Sequence, residues 1–305
     1  MVKCKCTDGI LNSGIPVCSD GFGRVKKLVF VPYYDSTNAK NVILDSDILN
    51  AAYFEGKVNE SDISKRWFPS DEIFNVVDER GDDVLESIEG IDFKIEEGKR
   101  VFTGEFVNSF SKSPAYTKFL KSLSCPLVGV FYIDEFGSVI GQGKGDNLEP
   151  FLVQRGSVKV KYMPKSYSSV GKNTVSYTLA SNSDDTQIKY RETAQDADLL
   201  ILNGLISVEL SSFASTSTTE VGGVALISAT TKQGGIGYGA EVANFEVYNS
   251  TVGAAVTITS VTESSTVVGG VDFVLDASTV SSSDIITIKS ALSGFESNVI
   301  TLSVL

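Results

Sequence analysis

The sequence predicts a mainly β protein with a short N-terminal arm and two further units. Three observations carry this. Alternating apolar and polar residues recur along most of the chain. Only one segment combines helical spacing with a clear cap. The composition also changes near residue 200: residues 1–200 hold 29 acidic and 24 basic side chains, residues 201–305 only 9 and 2. The expected division is an arm at 1–24, an assembly domain at 25–203 and a second β domain at 204–305.

Residues 1–24 are rich in Gly, Ser and Cys, which predicts an extended arm. Leu28–Tyr33 reads as a strand, closed by the Asp35–Asn38 turn cluster, and Asp47–Tyr53 as a short helical turn. Ile73–Glu79 and Val84–Ile88 read as strands around the turn Arg80–Asp83. Ile91, Phe93 and Ile95 alternate with Asp92, Lys94 and Glu96, the period of a half-buried strand. Glu97-Gly98-Lys99 is the next turn, and Val101–Phe106 is expected to return as the antiparallel partner of that strand. Ser113 is the expected N-cap of a helix with Pro114 at its first position. Tyr116, Phe119, Leu120 and Leu123 form its apolar face, and Cys125-Pro126 ends it. A helix of about ten residues cannot stand alone and must lie on the sheet.

Leu127–Ile133 is apolar on both faces and should be a central strand. Asp134-Glu135-Phe136-Gly137 turns the chain back. Phe151–Met163 and Asn173–Ala180 give two more strands, and Lys159, Lys161 and Lys165 read as a solvated strand face. Beyond residue 204, about seven strands in about 100 residues suggest an immunoglobulin-like β-sandwich without the Cys-Trp-Cys core signature.

Among 305 residues there are 26 Lys plus Arg, 38 Asp plus Glu and no histidine, for a formal net charge of -12. The absence of histidine removes Ser-His and Cys-His catalysis and histidine metal sites. The acidic balance disfavours a broad nucleic-acid-binding face. No apolar run reaches membrane-spanning length and no signal peptide is recognised, so an intracellular, non-membrane chain is expected. Cys4, Cys6 and Cys18 have no usual zinc spacing, and Cys125 is expected to pack as a small apolar group. Glu79, Asp82 and Asp83 form no complete calcium loop. Gly141, Gly143 and Gly145 precede no helix and so make a poor phosphate cradle. Asp134 and Glu135 would need a pocket to act as proton donors or sugar ligands. Asn249-Ser250-Thr251 matches a glycan acceptor only formally. No enzyme, cofactor or metal is expected.

The order hairpin, helix, hairpin, strand pair over residues 90–180 resembles the tail tube proteins of long-tailed bacteriophages. That resemblance implies a tail-tube-like β-sandwich or small barrel with one flanking helix, here Ser113–Ser124. It also implies a virion structural protein assembled in the host cytoplasm as stacked hexameric rings, meeting other virion proteins, with DNA passing through unread. A long hairpin joins subunits in that family. The candidate joints are Glu96, Glu97 and Gly98, and Asp134, Glu135, Phe136 and Gly137. A neck or connector ring and a head-decoration protein fit the same pattern. A surface adhesin or carbohydrate-binding module is the alternative outside the virion, motivated by the C-terminal domain and by Tyr238, Phe245 and Tyr248.

Overall fold

The structure, a computed structural model, describes residues 23–108, 111–180, 184–212, 220–228, 241–263, 270–291 and 295–304. The expectations for the arm before residue 23, for Cys4, Cys6 and Cys18, and for Tyr238 lie outside these residues.

The first half begins with β1 (Val25–Pro32), α1 (Ala51–Val58), β2 (Phe68–Pro69), β3 (Phe74–Arg80), β4 (Val84–Ile88), β5 (Ile91–Glu96) and β6 (Arg100–Phe106). It continues with α2 (Pro114–Ser122), β7 (Val128–Asp134), β8 (Val139–Lys144), β9 (Asn147–Glu149), β10 (Phe151–Leu152), β11 (Lys159–Met163), β12 (Lys172–Thr178) and β13 (Ile188–Arg191). A seven-stranded sheet runs β13-β8-β7-β1-β2, with β10 against β7 and β9 against β8. A four-stranded sheet runs β11-β12-β6-β3, and β4 and β5 form a separate two-stranded ladder.

The large sheet is a middle layer, and this explains its sequence. On one face Leu28, Phe30, Val130 and Tyr132 pack with Phe102, Phe106, Val175 and Tyr177 of the four-stranded sheet and with Tyr116 and Leu120 of α2. On the other face Val29, Val31, Phe131 and Ile133 pack with Ile43, Phe54, Val58 and Trp67. The Trp67 ring lies 5.2 Å from that of Phe131. Every residue of β7 is buried, as expected of a strand covered on both sides. The segment from Ile43 to Trp67, in which the sequence reading expected only a short helical turn, is the cover of the second face.

Helix α2 starts as its sequence dictates. The Ser113 hydroxyl accepts the Tyr116 N–H at 3.2 Å, and Pro114 occupies the first turn. Asn173, fully buried in β12, donates to the carbonyls of Ser111 and Ser113 and accepts from the Thr117 hydroxyl at 2.7 Å. The helix is thereby fixed to the sheet beneath it.

The second half contains β14 (Ile206–Ser212), β15 (Glu220–Ser228), β16 (Phe245–Asn249), β17 (Ala254–Val256), β18 (Ile258–Glu263), β19 (Gly270–Leu275), β20 (Ile285–Ser290), β21 (Phe295–Ser297) and β22 (Ile300–Ser303). Two sheets, β18-β19-β15-β14-β21 and β17-β16-β20-β22, share one core in which Phe273 and Val271 meet Phe245, Ile286 and Ile288. β14 and β21 run parallel.

Several expectations are corrected. The protein is mainly β, but its sheets are open: among the described residues none closes into a barrel, so the tail-tube-like sandwich/barrel does not describe the fold, and the second unit consists of two open sheets. Among the described residues there are two α-helices and not one flanking helix: Asn50 caps Ala51–Val58 by accepting the Tyr53 N–H at 2.9 Å. Phe151–Met163 is not one strand. A turn splits it, sending β10 to the large sheet and β11 to the four-stranded one. Cys125 is exposed rather than packed. Val101–Phe106 does not pair with Ile91–Glu96; β6 lies between β3 and β12, and β5 pairs with β4.

Candidate assembly surface

That last correction defines the most unusual surface of the molecule. β4 follows β3 and β5 leads into β6, so β4–β5 continues the β3–β6 hairpin beyond the body of the protein. The two-residue turn at its tip has φ of 53° at Glu89 and 82° at Gly90. Positive φ at both central residues is the type I′ geometry that matches strand twist. Pairing of Ile88 with Ile91 closes the tip.

Every residue of β4 and β5 is exposed. The register places Glu86, Ile88, Ile91 and Phe93 on one face and Leu85, Ser87, Asp92 and Lys94 on the other. The expected half-buried strand is therefore unburied, with Ile91 61%, Phe93 50% and Ile95 61% exposed. The alternation is present, but among the described residues no layer covers it. Full burial of one such side chain stabilises by about 1.5–3 kcal/mol, and an isolated two-stranded hairpin is marginal in water. The arm thus leaves unused a stabilisation that a partner surface would supply.

The base of the arm is rigidly built. Gly98 is buried, and a Cβ there would lie 1.7 Å from the Gly81 carbonyl oxygen, so only glycine fits where the two strands cross. The Asp83 carboxylate accepts the Gly98 N–H at 2.9 Å and pairs with Lys94 at 2.8 Å. Arg80 and Arg100, directly opposite each other across β3–β6, both reach Asp185, at 2.8 and 3.1 Å. Arg100 also grips Asp78 through two bonds of 2.7 and 2.6 Å, and Arg80 reaches the Gly98 carbonyl at 2.9 Å and Glu97 at 3.5 Å. The Arg80 hydrogen bond, followed by the charge of Arg100, holds the Asp185 carboxyl below its ordinary range despite some desolvation. Sequence reasoning missed this clamp because Asp185 is remote in the chain. The strand–Glu-Gly–strand signal of the arm tip was available in Ile88–Ile91.

The two sets of candidate joints separate. Glu96, Glu97 and Gly98 lie at the base of the arm. Asp134 is only 3% exposed, and one carboxylate oxygen accepts the N–H groups of Phe136 and Ser138 at 3.0 and 2.8 Å. Its other oxygen accepts the Gly23 N–H at 3.2 Å, and Glu135 accepts that of Arg24 at 3.3 Å. Gly137, with φ of 82°, completes the turn, and Glu135 and Phe136 are its exposed residues. This is a short, self-satisfied turn, not a projection.

Elsewhere, a hollow of about 370 Å³ beside β8 and β9 holds Lys40, Glu149 and Tyr33. Lys40 and Glu149 pair at 2.8 Å and so engage each other's charges. A groove of about 550 Å³ on the second half is lined mainly by apolar residues including Val247, Tyr248 and Val256. Asn249 is only 1% exposed, and its amide donates to Asp284 and Thr279, so the acceptor side chain of the formal glycan motif is buried and engaged. Among the described residues no group of three or more His, Cys, Asp or Glu is arranged to hold a metal ion, and no helix is long and apolar enough to cross a membrane.

No family model matches the chain, and no curated protein matches it.

Proposed function

We propose that this chain is a self-assembling structural subunit whose β4–β5 arm docks on another copy. The free arm carries this reading: an ordered, clamped, two-stranded extension with apolar side chains on water is the form of a β-structure completed by a partner. For its setting we propose the virion, as a tail tube subunit in stacked hexameric rings, with a neck or connector ring or a decoration protein as related roles; this part rests on the sequence resemblance and not on the fold. Open sheets suit such a role, since each has edges a neighbour can extend. The net charge of -12 would leave the lumen of a ring non-adhesive to DNA passing through it.

The test is sedimentation velocity and negative-stain microscopy over a concentration series, comparing the native chain with one lacking residues 84–96. The native chain should form rings or tubes, and the deletion should remain a folded monomer. A native chain that is monomeric at every concentration overturns the proposal, and so does a deletion variant that assembles normally.

A further inference from the structure

The arm has a chemically matched acceptor in the same fold. In the sheet β11-β12-β6-β3, β3 carries the arm at one edge and β11 forms the opposite edge. Among the described residues β11 pairs only with β12, so one side of its backbone has no strand partner there. Between Glu149 and Asp184 the sequence contains Arg155, Lys159, Lys161, Lys165 and Lys172 and no acidic residue. Lys172 pairs with Glu105, whereas among the described residues no ion pair engages Lys159, Lys161 or Lys165, all exposed. The arm is the reverse. Residues 82–97 hold seven acidic side chains against the single Lys94. Among the described residues Glu86, Glu89, Asp92 and Glu96 have no ion pair, while Asp83 and Glu97 are engaged by Lys94.

We propose that the acidic β4–β5 arm of one copy adds to the basic β11 edge of a second copy. This rests on the reading of the chain as a self-assembling subunit and names the surface that receives the arm. A subunit's own arm cannot reach its own β11, because β12 and β6 stand between that edge and β3. The contact is therefore intermolecular and heterologous: donor and acceptor are different surfaces, so each copy gives one arm and receives another. Such contacts close into rings or run on as filaments. Backbone pairing supplies the affinity, and charge supplies the choice of partner. Lysines on an edge strand guard it against indiscriminate pairing; here they admit a strand of opposite charge.

The experiment uses three full-length variants. One reverses the acceptor (Lys159→Glu, Lys161→Glu, Lys165→Glu), one reverses the arm (Glu86→Lys, Glu89→Lys, Asp92→Lys), and one carries both sets. All six positions are exposed, and circular dichroism confirms folding. Each single set should raise the concentration needed for assembly about 100-fold or more, by like-charge repulsion. The doubly reversed chain should assemble again, as should an equimolar mixture of the two single sets. A photoreactive residue at position 161 should link to residues 84–96 of another copy. If the acceptor variant assembles like the native chain while deletion of 84–96 abolishes assembly, the acceptor assignment falls and the self-assembly reading stands. If the deletion assembles too, both fall.

Discussion

The hairpins β7–β8 and β4–β5 are both antiparallel and both closed by a turn ending in a positive-φ glycine, yet β7 is buried at every residue and β4 and β5 are exposed at every residue. The difference does not lie in strand propensity. β7 is apolar at consecutive positions and receives a layer on each face, from α2 with the four-stranded sheet and from α1 with the Trp67 region. β5 is apolar only at alternate positions, with Asp92, Lys94 and Glu96 between them. A strand of that kind has one face to bury, and among the described residues nothing covers it. The amphipathic pattern calls for a contact, which the proposed assembly would supply from another copy.

The largest expected difference comes from the same substitution in each hairpin. Phe131→Ala removes a fully buried ring stacked near Trp67 and should cost about 3–5 kcal/mol of folding stability. Phe93→Ala, in the arm, should change monomer stability by less than about 0.5 kcal/mol and weaken assembly instead. Urea denaturation at concentrations where the protein is monomeric checks both. A large loss from Phe93→Ala would mean the arm folds back on its own subunit and would end the comparison.

Lysines sharpen it next. Lys27, paired across to Ile133 of β7, is 2% exposed and donates to the Leu200 carbonyl at 2.9 Å. Burial lowers its pKa to about 8, against opposing pulls from Asp71, Asp198 and Glu72. A folded-state value below the unfolded one penalises the charged form, so the penalty is in full force below pH 8 and fades as pH rises toward 10.5. Native stability should gain about 2–3 kcal/mol relative to Lys27→Met across that interval, in denaturation curves at successive pH values. In the arm, the hydrogen bond to Asp83 moves Lys94 the other way, upward. Lys94→Met should show no comparable gain.

The legible parts were those whose cause is local. Ser113 and Pro114 announce the start of α2, and the unbroken apolar run of β7 announces a strand buried on both faces. The pairing of β5 was read wrongly because Glu97-Gly98-Lys99 looks like a hairpin turn. In the fold it is one half of a crossing, completed by Gly81–Asp83. α1 was undervalued because its short amphipathic run depends on the sheet face it covers. The Asp185 clamp has no local signature at all, since it exists only once β3, β6 and the Asp185–Gln187 turn are assembled.

The turns should separate by a smaller margin. Asp134→Ala strips the acceptor from the N–H groups of Phe136 and Ser138, the latter in a buried setting, and should cost about 1–3 kcal/mol. Gly90→Ala introduces a Cβ at φ of 82° with open space around it. Its strain, about 1 kcal/mol, should be confined to the arm. Hydrogen exchange should then report faster opening of 84–96 with the body unchanged.

The smallest effect tests whether the arm's base is a device separate from the core. Asp185 joins Arg80 and Arg100, which face each other across β3–β6, so without its charge two guanidinium groups are opposed with less compensation. Its carboxyl is held below the ordinary range, so the stability it contributes is complete above pH 4 and is lost as pH falls through the lower, folded-state value. The side chain is 47% exposed, and solvent screening keeps its share near 0.5–1 kcal/mol, about the upper range for such pairs. Asp185→Asn should therefore leave the unfolding midpoint almost unmoved at pH 7, while amide exchange at Gly81 and Gly98 quickens. Acidifying the native protein through that lower value should reproduce that local opening before the core yields. If exchange at the crossing is unchanged by either treatment, Asp83 and the interlocked glycines hold the arm without the arginines, and the clamp is ornamental to its rigidity.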